Sequence, residues 1–183
     1  MFDEDIKIAQ PFSKKPKTSG EAMHEEYDRE SSKGNTEKAR VLGTKLADGV
    51  VSKLNAFTME NEESGNSEMA IQRGVLMTFA ATVGIETYVK SSVVAQTAKN
   101  SFNSELEKLS PALYKAVSGA GAFSFYYLAY RRGTEVDRRI GQTFAMLCSH
   151  DGDPVYQELG EAIYCWFASH TKKELEASGI LQN

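Results

Sequence analysis

The sequence predicts an all-α protein. It reads as a single domain of five or six amphipathic helices, an irregular helical bundle over residues 35–183, with a flexible or loosely docked N-terminal arm at 1–34. Three observations predict this. From Asn35 onward, apolar residues recur at three- and four-residue spacing. No segment alternates apolar and polar residues as a half-buried strand does. And 183 residues, 41% hydrophobic and 25% charged, suffice for one well-cored domain but are short for two.

The arm has few large apolar side chains and no sustained period, so it offers little buried surface against its ordering entropy. Its stretch Lys14-Lys15-Pro16-Lys17 matches a nuclear address or a phosphate contact, but it reads more simply as a solvated tail. In the first helix of the domain, Ala39, Leu42, Leu46, Val50, Leu54 and Phe57 form one stripe, which ends in the polar loop Glu60 to Asn66. Asn66 or Ser67 then caps a second helix, with Glu68 in its first turn. From Gly74 to Ile85 that helix carries no charge on any face, which predicts the central, most buried element. The pattern leaves open whether it breaks at Ser91-Ser92.

Leu106, Leu109, Leu113 and Val117 continue the helical period across Ser110-Pro111, either as two helices or as one bent helix. The aromatic segment Ser118 to Arg132 stops at Gly133, a natural left-handed C-terminal residue. Thr134 is placed to cap the next helix, with Asp137 as its capping-box partner, and Val136, Ile140, Phe144 and Leu147 form the buried stripe. After His150-Asp151-Gly152, the pair Asp153-Pro154 opens the last helix, with Val155, Leu159, Ile163, Trp166 and His170 on its apolar face.

Charge and composition exclude several functions. A net charge of -4 gives no global attraction to nucleic acid or anionic lipid. The longest uncharged run, Ala116 to Tyr130, falls short of the roughly 20 residues a spanning helix needs. It also lacks the lysine-rich face of an interfacial helix. Two cysteines do not make a disulfide framework, and the acidic start Met1-Phe2-Asp3-Glu4-Asp5 is unlike a signal peptide, so a reducing cytoplasm is expected.

Thr134 to Ser178 concentrates the reactive side chains, and spacing separates them. Cys148, His150, Cys165 and His170 are the right types for zinc. However, Cys165 lies about 16 Å along its helix from Pro154, and Cys165 and His170 are roughly 140° apart around the axis. No metal, cofactor or Cys148–Cys165 disulfide is expected. Cys148 and His150, two residues apart, point roughly 160° from each other while the helix persists, which argues against a nucleophile–base pair. His150-Asp151 lacks the further ligands of a metallophosphohydrolase, and Glu21-x-x-His24 occurs once where a di-iron bundle uses two copies. No nucleophile elbow and no phosphate-binding glycine loop occurs.

One credible functional surface remains, the corner formed by Arg131, Arg132, Arg138 and Arg139, a candidate anion-binding site, with Tyr126, Tyr127 and Tyr130 beside it as candidate ligand or partner contacts. Glu135 and Asp137 share the corner and offset its charge. The expectation is a non-catalytic, cytoplasmic interaction or regulatory protein with a protein partner or self-association, acting through helical faces or the arm, and no membrane or nucleic-acid target. The alternative is a small-molecule or anion-binding helical protein, conceivably an enzyme, using residues 123–130 and 131–139. A pocket containing Tyr127, Tyr130 and Arg131 would favour that alternative.

Overall fold

A computed structural model describes residues 18–59, 67–119 and 121–181, and among them every regular element is a helix. The order is α1 (Ser19–Ser32), α2 (Asn35–Met59), α3 (Ser67–Tyr88), α4 (Ser92–Leu109), α5 (Pro111–Ser118), α6 (Ala122–Arg131), α7 (Val136–Leu147) and α8 (Pro154–Ala177). The expected five or six helices are thus eight among the described residues.

Two of the extra breaks fall where the sequence left a choice. Ser91 is extended, and its hydroxyl accepts from Val94 N at 3.4 Å, so it caps α4 and ends the run begun in α3. Pro111 takes the first position of α5, where its missing N–H costs nothing. The other addition is α1, inside the segment expected to be an arm. Thr18 and Glu21 form a reciprocal capping box: Glu21 N donates to Thr18 Oγ1 at 3.3 Å and Thr18 N donates to Glu21 Oε2 at 2.9 Å. The remainder of the arm, residues 1–17 with Lys14-Lys15-Pro16-Lys17, lies outside the described residues, as does the loop 60–66.

Every residue from Gly74 to Ala81 is buried in α3, and so are Val83, Gly84 and Ile85. Around α3 lie α2, α4, α5, α6, α7 and α8. Two helix pairs also meet at close backbone crossings. Gly43 of α2 lies where a Cβ would strike the Ala98 carbonyl and sit 2.7 Å from Phe102 N, both in α4. Gly141 of α7 faces the Gln157 carbonyl of α8 in the same way. α7 and α8 are joined by a tight turn: Ser149 adopts φ 63° and His150 N donates to the Ala145 carbonyl at 2.9 Å, closing α7. Asp153 then caps α8 through Val155 N at 2.9 Å.

α7 begins one residue later than expected. Thr134 is not its cap; Glu135 holds that place in a left-handed conformation, φ 48°, with no side-chain cap bond. Thr134 Oγ1 instead accepts from Arg139 Nη2 at 3.3 Å, and Asp137 accepts from Arg138 N at 3.0 Å.

The Gly43 crossing makes a test with an unusual sign. Alanine in a helix interior gains about 1 kcal/mol over glycine from propensity, yet Gly43→Ala is expected to destabilise by about 1–3 kcal/mol because backbone atoms, not flexible side chains, block its Cβ. Urea unfolding of the two proteins, with Gly20→Ala of the open α1 surface as a neutral or stabilising control, gives the answer; a Gly43→Ala midpoint at or above wild type would refute the close crossing.

Candidate functional site

α6 is apolar on two faces. Phe123, Tyr126, Tyr127 and Tyr130 follow helical spacing and turn inward around Phe79 of α3, with ring centroids 5.6, 5.3, 5.1 and 6.3 Å from it. Tyr126 is 0% exposed, and among the described residues its hydroxyl has no hydrogen-bond partner. Tyr127 donates to Glu86 Oε2 at 3.1 Å, and Tyr130 pairs with the Thr87 hydroxyl at 3.1 Å, pinning α6 to the end of α3. Burial first, then the neighbouring Glu86 carboxylate, pushes the Tyr127 hydroxyl up to about 12. The three tyrosines read as contact residues are therefore structural in position: Tyr126 presents no surface, and Tyr127 and Tyr130 are half-buried with their hydroxyls engaged. The cavity that Tyr130 lines is about 70 Å³ and includes neither Tyr127 nor Arg131, well below the roughly 300–1,000 Å³ of common ligand pockets.

The opposite face of α6 carries Phe125, 47% exposed, and Leu128, 61% exposed. With Arg132 they occupy positions i, i+3 and i+7, a second stripe. α7 supplies the facing wall: Arg139, Gln142, Thr143 and Met146, the last 40% exposed. Between them lies an open groove of about 280 Å³, with Asp151 at one end.

The four arginines do not form one cluster. Arg132 and Arg139 line this groove. Arg138 points to Glu135, Nη1 to Oε1 at 3.3 Å, and Arg131 is exposed outside the groove lining. Neighbours in sequence on a helix diverge by about 100°, so each arginine pair splits between two directions.

The reactive residues of the C-terminal block stay apart. Both cysteines are free, Cys148 buried and Cys165 exposed. His150 stacks on Tyr156 at 3.7 Å, and His170 packs edge-on to Phe167 at 5.4 Å. Trp166, expected on the buried face of α8, is 41% exposed and lies under the Lys53 ammonium at 5.7 Å. Among the described residues no group of three or more His, Cys, Asp or Glu side chains could hold a metal ion, and no helix is long and apolar enough to cross a membrane.

A second cavity, about 290 Å³, lies beneath α1 and was not foreseen. Glu26 accepts from the Ser91 and Ser92 hydroxyls at 2.6 and 3.2 Å, tying α1 to the start of α4. Glu30, buried, accepts from Asn35 Nδ2 at 2.7 Å, tying α1 to the start of α2, and also from Arg29 Nε at 3.2 Å and Lys33 Nζ at 3.5 Å within α1 and its C-cap. The Thr18-x-x-Glu21 box was the legible signal for this helix. The second stripe on α6 was legible too, as Phe125, Leu128 and Arg132.

No protein-family model, curated protein or solved structure matches this chain.

Two predictions follow from the side chains just described. The Ser91 hydroxyl holds the Glu26 carboxyl below its ordinary range, and the Asn35 amide does the same for Glu30, each against an opposing push from burial. Docking of α1 therefore favours the ionised forms; it is fully present above the ordinary glutamate range and is lost as pH falls through the lowered values. Amide shifts of residues 19–32, followed from about pH 6 to about pH 3, should report α1 release before global unfolding, and the Glu26→Gln/Glu30→Gln double variant should lose that early step. An α1 that stays docked until the whole domain unfolds would contradict this. Separately, burial pushes the Cys148 thiol up to about 11, so a thiol reagent near neutral pH should modify Cys165 alone in the folded protein. Rapid native labelling of Cys148 would contradict its placement.

Proposed function

We propose that this protein is a non-catalytic, cytoplasmic interaction protein, and that the groove between α6 and α7 receives a short amphipathic segment of a protein partner that is apolar on one side and acidic beside it. The observation that carries this reading is the convergence of Phe125, Leu128 and Met146, three large exposed apolar side chains, on one groove edged by Arg132 and Arg139. Scattered exposed apolar residues are ordinary, whereas a contiguous set between two helices is the usual form of a helix-in-groove surface. The arginines select an acidic flank, since their planar donors pair with carboxylates in two-pronged fashion. Covering what is still exposed of the three apolar side chains would contribute about 3 kcal/mol, at roughly 1 kcal/mol for half-burial of each.

The small-molecule or anion alternative draws less support. Its tyrosines face the core, and its arginines point in different directions.

Selection of displayed random peptides on the full chain tests the reading by chemistry rather than by a guessed partner. Enriched peptides should carry large apolar residues three or four positions apart with Asp or Glu adjacent. Leu128→Glu, at a well-exposed position, should weaken their binding by about tenfold to a hundredfold, while Val155→Glu on α8 should leave it unchanged. Enrichment of basic peptides, or binding indifferent to Leu128→Glu, would overturn the assignment.

A further inference from the structure

We infer that the groove's resident occupant is the head of this same chain, residues 2–8, bound in cis, so that a partner must displace it. This rests on the docking reading above. The chain outside the described structure includes Phe2-Asp3-Glu4-Asp5-Ile6-Lys7-Ile8, in which Phe2 and Ile6 are four apart and three consecutive carboxylates lie between them. That is the chemistry the groove selects: apolar anchors for Phe125, Leu128 and Met146, and acids for Arg132 and Arg139. No comparable run of three consecutive acids occurs elsewhere in the sequence.

Reach permits it. Thr18 is about 12 Å of helix from Glu26. Glu26 binds Ser91, four residues past Thr87, and Thr87 binds Tyr130, two residues past Leu128. With residues 9–17 extended to about 30 Å and a helical 2–8 adding about 10 Å, the head spans about 40 Å, comparable with this route. Tethering makes a weak contact sufficient, because a short linker presents its head at an effective concentration on the order of millimolar. A segment whose free peptide binds with a Kd about one-tenth of that value fills the groove about nine-tenths of the time. Its absence raises the apparent affinity for any competing segment accordingly.

The test uses the full chain throughout. A photo-crosslinking benzoylphenylalanine at position 2 should link, on irradiation, to peptides containing Phe125–Leu128 or Gln142–Met146. Mixing light- and heavy-isotope copies should show that links join segments of one chain. In parallel, a fluorescein-labelled peptide of residues 1–12 should bind the Phe2→Ser/Ile6→Ser protein about tenfold more tightly than wild type, and adding Leu128→Glu should abolish that binding. Links to other surfaces, no links, links only between copies, or equal binding by wild type and the arm variant would each overturn the inference. If selected peptides still bind through Leu128 in those cases, the docking surface stands and only its resident is wrong; if they do not, both readings fall.

Discussion

The structure depends on one constraint: a helix with no charge from Gly74 to Ile85 has no face to give to water, so it must be covered all round. α3 is that helix, and its burial dictates the arrangement of the rest. One amphipathic helix covers a stripe roughly a quarter to a third of the way around a neighbour, so a central apolar helix needs several partners, and six of the other seven helices touch it. Close approach is bought with small residues. Gly74 lies 2.8 Å from the Leu113 side chain of α5 by its would-be Cβ, and Gly84 lies 2.6 Å from the Thr171 methyl of α8. These contacts set how near α5 and α8 sit to the axis of α3. The glycines at the α2–α4 and α7–α8 crossings then lock the outer layer at matching depth.

α6 has a different problem. Phe79 of α3 gathers four aromatic side chains from it, enough to anchor a ten-residue helix without help from its other face. The outer stripe is then surplus to folding. Phe125 and Leu128 leave about half or more of their surface outside the core, and that exposure carries a solubility cost that polar residues there would remove. A surface that is dispensable for stability and unfavourable in isolation is best explained by something that covers it. The Tyr127–Glu86 and Tyr130–Thr87 bonds also hold the helix in one rotational setting, so the outer stripe presents a fixed shape to whatever docks.

Much of the fold was legible because period and phase are independent of neighbours. The stripes of α2 and α7, the uncharged run of α3 and the Asp153-Pro154 start of α8 all survive translation into three dimensions. What failed, failed for identifiable reasons. α1 was read as an arm because apolar content was the criterion, whereas α1 is held by Glu26 and Glu30 reaching the starts of two other helices. The tyrosines of α6 were read as ligand or partner contacts because a segment with aromatic residues on two faces has no unique phase; Phe79 decides which side is in. The arginines were grouped by closeness in sequence, which a helix converts into angular separation, so that Arg132 and Arg139 share a groove while Arg138 turns to Glu135. The helical angle between Cys148 and His150 does not carry over, because α7 ends at Leu147 and Ser149 is left-handed; the thiol is buried, while His150 stacks on Tyr156.

The contrast between the two docking chemistries bears on how such a protein can be controlled. α1 sits on the body through carboxylates set against two hydroxyls and an amide. Contacts of this kind are modest in water and respond to protonation and salt. The α6–α7 groove is apolar at its centre, so its occupancy responds to competing apolar segments far more than to ionic conditions. α1 and its cap Thr18 directly follow residues 1–17 in sequence. Were residues 2–8 to fill the groove as proposed, undocking α1 would lengthen their connection to it by the 14 residues of the helix and dilute their effective concentration only as a weak power of length. On that proposal, loss of the α1 latch would be a fine adjustment of groove occupancy, and direct competition at Phe125 and Leu128 the coarse one.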